Sequence, residues 1–207
     1  MKVAFFGQVC YAFSMIYLLE NPEGDMPGSL ARKLLAYGLY QEYGITGETV
    51  LAAAPLGKPY LPEYPHIHFN YSHCRRGILC GIHHGEIGVD IERIIPYKEN
   101  FAARISHPNE LRMLLEVSEK DRALTALWTA KESYLKYLGT GLRSDLRKLD
   151  LSAGLRDGVS VGGVWLHSCF GKGYGMCVCC GERQVHIRRV RREELSSKVR
   201  LNDESIF

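Results

Sequence analysis

Gly88-Val89-Asp90-Ile91-Glu92-Arg93 alternates apolar and polar side chains, the period of a half-buried strand. Side chains two apart on a strand share a face, so Asp90 and Glu92 project together. Further on, Trp128-Thr129-Ala130-Lys131-Glu132-Ser133-Tyr134-Leu135-Lys136 reads as helix, and there Glu132 and Lys136, one turn apart, share a face. Three carboxylates and a lysine are the groups needed to hold a hard divalent cation and a phosphate ester.

Outward from this strand the chain reads as a mixed α+β protein. Ile78–His84 and Glu86–Glu92 read as a hairpin closing near Gly85, preceded by a short strand starting at Ile67. Residues 2–9 read as a strand, and Ser29–Tyr43 as a helix with Ser29 as its N-cap and Gly44 as its stop. Ala54–Pro62 is a loop stiffened by prolines. After Pro96 the pattern is helical from Glu99 to Glu116, broken at Pro108, and again from Glu119 to Leu138, where Gly139 and Gly141 end it. Strands return around Gly163–Phe170, Tyr174–Cys180 and Gln184–Val190. This is not a run of βαβ repeats, which favours mixed or antiparallel sheets.

In the last long helix, Leu124, Leu127, Trp128, Lys131, Leu135 and Leu138 fall on one buried arc. Glu132 and Lys136 sit just outside its Trp128 edge, where a side chain is partly desolvated and still reaches a cleft. An exposed Glu–Lys pair four residues apart, worth only a few tenths of a kcal/mol, is the alternative at that spacing.

Composition narrows the class without naming a function. The 207 residues are 46% hydrophobic and 24% charged, an ordinary globular balance, and the net charge of +3 is too small to argue for nucleic acid. The local basic run Arg188, Arg189, Arg191 and Arg192 is diluted by Glu193 and Glu194, and reads as a solvated edge strand or terminal helix. Seven cysteines do not make a complete disulfide framework. Cys177, Cys179 and Cys180 read as small buried residues of a reducing, cytoplasmic setting. Lys2 and the apolar run to Leu19 are interrupted by Gly7, Gln8 and Ser14, and read as a buried strand, not a leader. No stretch is apolar enough for a membrane span.

Read together, four motifs stand in order. They are Gly57-Lys58-Pro59, Phe69-Asn70-Tyr71-Ser72-His73, Gly88-Val89-Asp90-Ile91-Glu92, and Trp128-Thr129-Ala130-Lys131-Glu132-Ser133-Tyr134-Leu135-Lys136. This order resembles the 4'-phosphopantetheinyl transferases, the larger single-chain type that activates peptide and polyketide synthetases. The match runs from about Gly57 to Gly141, with an echo at Gly173–Val178.

The resemblance implies an α+β fold of two similar subdomains related by pseudo-twofold symmetry. They would span residues 1–95 and 96–207, with the boundary near Ile94–Lys98. It implies Mg²⁺, with Mn²⁺ as the alternative, held by Asp90, Glu92 and Glu132, and coenzyme A as substrate. It makes Glu132 the base, directly or through water, for a serine hydroxyl of an apo acyl or peptidyl carrier protein, and has Lys136 bind the diphosphate. Lys58, Ser72, His73 and Arg32 complete the coenzyme pocket, His73 on the 3'-phosphate side. Glu110 falls where relatives often carry a glutamate near the site. Departures are Cys74, where many relatives have a hydroxyl residue, and the short Asn21–Pro27 stretch, where relatives place extra basic residues. The carrier is expected to dock against Tyr97–Val117, the enzyme acting as a monomer in the cytoplasm without nucleic-acid or membrane partners.

Rival readings start from the same residues. A metal-dependent nuclease would use the Asp90–Glu92 pair but ignore coenzyme A, and a binding module would use the C-terminal arginines with strong salt dependence. A Ser72–His73–Asp90 hydrolase triad lacks the strand–turn–helix elbow around its serine.

Overall fold

The computed structural model describes residues 14–20, 27–141, 145–152 and 159–196. The expected strand over residues 2–9 lies outside them. The strands are β1 (Ser14–Glu20), the short pair β2 (Ala52–Ala53) and β3 (Pro59–Tyr60), β4 (His68–Cys74), β5 (Gly77–His83), β6 (Ile87–Arg93), β7 (Val159–Val161), β8 (Val164–Gly171), β9 (Tyr174–Cys180) and β10 (Val185–Arg189). The helices are α1 (Pro27–Tyr43), α2 (Glu99–Ile105), α3 (Pro108–Glu116), α4 (Lys120–Leu138) and α5 (Arg192–Ser196). A 3₁₀ turn covers Leu146–Lys148. Gly44 stops α1 in the left-handed region (φ 66°), as glycine permits. The helix starts at Pro27, so Ser29 lies inside its first turn instead of capping it.

Among the described residues, two four-stranded sheets carry the fold, in the orders β10-β1-β5-β4 and β6-β9-β8-β7. The hairpin expected between Ile78–His84 and Glu86–Glu92 does not form. β5 pairs with β1 and β4, whereas β6 pairs with β9. Burial explains this: β5 is buried along its whole length and β6 from Ile87 to Ile91, so each needs apolar cover on both faces. Stacking one sheet over the other supplies it. Ile16, Leu18 and Leu79 meet Val89, Ile91, Met176 and Val178 in the layer between the sheets. The chain changes sheets through a turn in which His83 Nδ1 accepts the Gly85 amide at 3.0 Å. His83 is therefore buried turn structure, and the adjacent His84 is exposed.

Helices close both outer faces. α1 packs Leu34, Leu35 and Leu39 on the first sheet against Phe69, Ile78 and Ile82. α4 covers the second sheet, with Ala130 against Leu166, Cys177 and Cys179, while Leu124 and Leu127 pack against α2 and α3. The result is four layers: helix, sheet, sheet, helix.

One order of elements occurs twice. A strand is followed by its covering helix, then by an antiparallel hairpin whose second strand pairs back with the first: β1-α1-β4-β5, then β6-α4-β8-β9. The division expected near Ile94–Lys98 does not follow sheet membership. β6 lies before it yet pairs with β9, and β10 lies after it yet runs parallel to β1. The chain changes sheets at Gly85, and its C-terminal strand returns to the first sheet.

Candidate active site

The pleat of β6 sets up the site. Val89 and Ile91 turn into the layer between the sheets, so Gly88, Asp90 and Glu92 turn toward α4. Gly88 makes the approach possible. A Cβ there would lie 2.0 Å from Ser133 O and 2.3 Å from Tyr137 N, so only glycine lets the α4 backbone rest on the strand. That contact brings the Glu132–Lys136 turn over Asp90. Lys136 Nζ lies 2.6 Å from Asp90 Oδ1, and Asp90 is 2% exposed. Ser72, from the edge strand of the other sheet, donates to the same Oδ1 at 2.8 Å and accepts from Lys136 at 3.1 Å. Asn70, two residues earlier, accepts the Val89 amide at 2.9 Å and ties the two sheet edges together.

Burial and, after it, like charge act on the carboxylates of the cluster. Burial first, then the Asp90 charge, push the Glu132 carboxyl above its ordinary value, against the pull of Lys136. Glu92 is raised by the same two causes in the same order, opposed by Lys136 and by a hydrogen bond from Trp128. Two carboxylate oxygens, Asp90 Oδ2 and Glu132 Oε1, are buried with no hydrogen-bond partner. Hard oxygen donors, excess negative charge and orphaned buried oxygens fit a divalent cation. Among the described residues no three His, Cys, Asp or Glu side chains already stand in ligating geometry. These carboxylates would therefore have to close on an ion.

Other residues singled out in the sequence fall elsewhere. His73 is exposed, and alternation along β4 turns it to the face opposite Ser72, toward the side of Phe69 and Tyr71 that packs on α1. That separates it from Asp90 and removes the Ser72–His73–Asp90 triad. Arg32 is exposed on α1 and lines a cleft of about 220 Å³ with Ser29, Lys33, Thr49 and Leu51. Lys58 is held by Glu86, Ile87 O and Tyr137 O at the end of α4.

Glu110 is structural. It is fully buried, 2.8 Å from Lys131 Nζ, and accepts the amides of His107 (2.7 Å) and Leu151 (2.6 Å). Lys131 spends its remaining protons on Leu146 O and Leu149 O, both at 2.7 Å. Burial lowers the proton affinity of Lys131 and the Glu110 charge restores part of it. Cys177 and Cys179 are fully buried, and burial pushes the Cys177 thiol up to about 12, so these thiols are inert packing groups.

Sequence reasoning missed Asn70 as the sheet-to-sheet tie and Gly88 as the contact that admits α4. The Gly-x-Asp-x-Glu spacing carried the second signal, because a glycine inside a strand marks a close backbone approach. The buried surface of α4 is also wider than its leucine arc: Ala126, Thr129, Ala130 and Ser133 are buried, and Leu138 is 48% exposed at the helix end.

Fold and site together define a buried carboxylate–lysine cluster, built where two stacked sheets meet. Residues 86–179 match the 4'-phosphopantetheinyl transferase superfamily (ACPS). The chain is 34% identical over 132 residues to the 4'-phosphopantetheinyl transferase Sfp of Bacillus subtilis, covering 59% of each chain. To the B. subtilis 4'-phosphopantetheinyl transferase ffp it is 34% identical over 137 residues, 62% of this chain and 61% of that one. A further B. subtilis 4'-phosphopantetheinyl transferase is 39% identical over 89 residues, 42% of this chain and 39% of the relative. The resemblance seen in the motifs is thus shown, and the chain spans from about two fifths to three fifths of these relatives' lengths.

Proposed function

We propose that this protein transfers the 4'-phosphopantetheine group of coenzyme A to a serine of an apo carrier protein, releasing 3',5'-ADP. The observation that carries the reading is the meeting of Asp90, Glu132 and Lys136, with Asp90 Oδ2 and Glu132 Oε1 buried and unpartnered. Asp90, Glu92 and Glu132 would hold Mg²⁺ or Mn²⁺. When bound, the ion offsets charge on the diphosphate and polarises its oxygens.

The chain's own groups do the rest. The carrier serine oxygen bonds to the β-phosphorus, the bond to the 3',5'-ADP oxygen breaks, and the serine proton passes to Glu132. Glu132 takes it directly or through a water, as the positioned carboxylate of a general base. Lys136 faces the diphosphate and stabilises the leaving oxygen, the dominant kind of help in phosphoryl transfer. Ser72 orients Asp90 and Lys136. His73 and Arg32 would meet the nucleotide end.

The two repeated strand–helix–hairpin units would be related by a pseudo-twofold axis, with the centre at their seam. A carrier would dock along Tyr97–Val117, where Leu115 is 53% and Val117 39% exposed. The working form would be a cytoplasmic monomer. No described helix is long and apolar enough to cross a membrane.

The test is the intact mass of apo acyl and peptidyl carrier proteins incubated with this protein, coenzyme A and Mg²⁺. The expected result is a gain of one phosphopantetheine group, abolished by EDTA. Tight coenzyme A binding without any mass gain across a panel of carriers would overturn the reaction while leaving the ligand.

A further inference from the structure

Lys58 has no proton left over for a nucleotide. An ammonium carries three N–H donors. Three protein acceptors take them: Glu86 Oε2 at 2.5 Å, Tyr137 O at 3.0 Å and Ile87 O at 3.2 Å. The side chain is 15% exposed, and His68 Nδ1 holds the other oxygen of Glu86 at 3.1 Å.

The two carbonyls flank the tightest contact in the site. Ile87 precedes Gly88, and Tyr137 follows Lys136. Gly88 is where α4 rests on β6: a Cβ there would meet Ser133 O, Tyr137 N and the Lys136 carbonyl carbon at 2.0, 2.3 and 3.0 Å. At the end of α4, Gly139 N and Thr140 N bond to Lys136 O and Leu135 O. Lys58 takes the next carbonyl, Tyr137 O, and places its charge at the negative end of the helix dipole.

We infer that Lys58 is a positioning residue for the proposed transfer: by joining Tyr137 O to Ile87 O it holds Lys136 over Asp90, and its ammonium does not bind the nucleotide. This rests on the transferase reading of the site. Lys136 reaches Asp90 at 2.6 Å, and a shift of about 1 Å at such a contact costs up to about a hundredfold in rate.

Lys58→Met and Lys58→Arg test it. Calorimetry gives the affinity for coenzyme A and for dephospho-coenzyme A, and carrier modification gives kcat and KM. Both variants are expected to lower kcat by roughly 10- to 100-fold while leaving both affinities unchanged. Arginine keeps the charge, but its planar guanidinium on a longer stem does not converge on the same three acceptors, so it does not rescue. Loss of coenzyme A affinity with dephospho-coenzyme A unaffected, restored by arginine, would overturn the inference in favour of a 3'-phosphate contact. A lowered Tm with normal kcat would reduce Lys58 to a purely structural role. If the wild-type protein modifies no carrier, the transferase reading falls by itself. The Lys136 ammonium resonance then reports on the pin: Lys58→Met is expected to shift it, and no shift overturns the inference.

Discussion

A side-chain carbon on Gly88 would stand 2.0 Å from the carbonyl oxygen of Ser133, so the strand carrying Asp90 and the helix carrying Lys136 touch through their backbones. Gly88→Ala must push α4 off the sheet, and neither neighbour is a flexible side-chain end that can yield. The expected cost is about 3 kcal/mol or more in urea unfolding. Gly85→Ala, whose new carbon meets only the His83 ring at 3.4 Å, serves as the control and should stay within about 0.5 kcal/mol.

Asp90→Asn keeps the shape of the side chain and removes its charge. Glu92 and Glu132 then lose a repelling neighbour, so their carboxyl titrations, followed by ¹³C NMR, should both move down in pH. Mg²⁺ should no longer raise Tm. Carrier modification should fall by about a hundredfold or more, because several kcal/mol of charge stabilisation leave with the ion. Undiminished Mg²⁺ stabilisation of the variant would remove Asp90 from the ligand set.

Stability without metal should fall as pH rises above the ordinary glutamate value. Glu92 and Glu132 have folded proton affinities raised above the reference of 4.5. The folded protein therefore binds more protons than the unfolded chain between that value and the raised ones, and their contribution is lost across that window. Mg²⁺ should flatten the decline by occupying the charged carboxylates, as a ligand specific to the folded state does. Melts in EDTA and in Mg²⁺ across this range check both halves of the statement.

Glu110→Gln should destabilise strongly, by about 3–5 kcal/mol, because it leaves the Lys131 charge buried without its partner. Replacing both as Glu110→Leu with Lys131→Met should recover much of that loss. The amides of His107 and Leu151 would still lack their acceptor, so recovery is expected to be incomplete. Chemical denaturation of the two variants is sufficient.

His73→Ala should weaken coenzyme A binding relative to dephospho-coenzyme A and leave stability nearly unchanged, since the side chain is exposed. Equal weakening of both ligands would detach His73 from the 3'-phosphate.

Much of the architecture was legible from local physics. Pro108 divides α2 from α3, and Gly139, in the left-handed region, ends α4 where its pattern stops. Alternation in β6 put Asp90 and Glu92 on one face, and the helical period put Glu132 beside Lys136, because both depend only on short-range geometry. Even so, the period underestimated α4. Ala126, Thr129, Ala130 and Ser133 do not register as an apolar stripe, yet small side chains are what lets a helix backbone settle on a sheet.

By itself the sequence determined most of the strands and helices and which chemical groups share a face, since each follows from spacing along one element. It did not place the first described strand at Ser14–Glu20 or mark the one at Val159–Val161. Pairing was decided only in the tertiary structure. β5 and β6 are adjacent in sequence and joined by a short turn, yet they go to different sheets, because each needs a second apolar face that its neighbour cannot supply. The same packing laid Ser72 on Asp90 and turned His73 away. It also tied Glu110 to Lys131, and spent Lys58 on the end of α4. Those contacts depend on how layers stack, and no spacing along the chain records that.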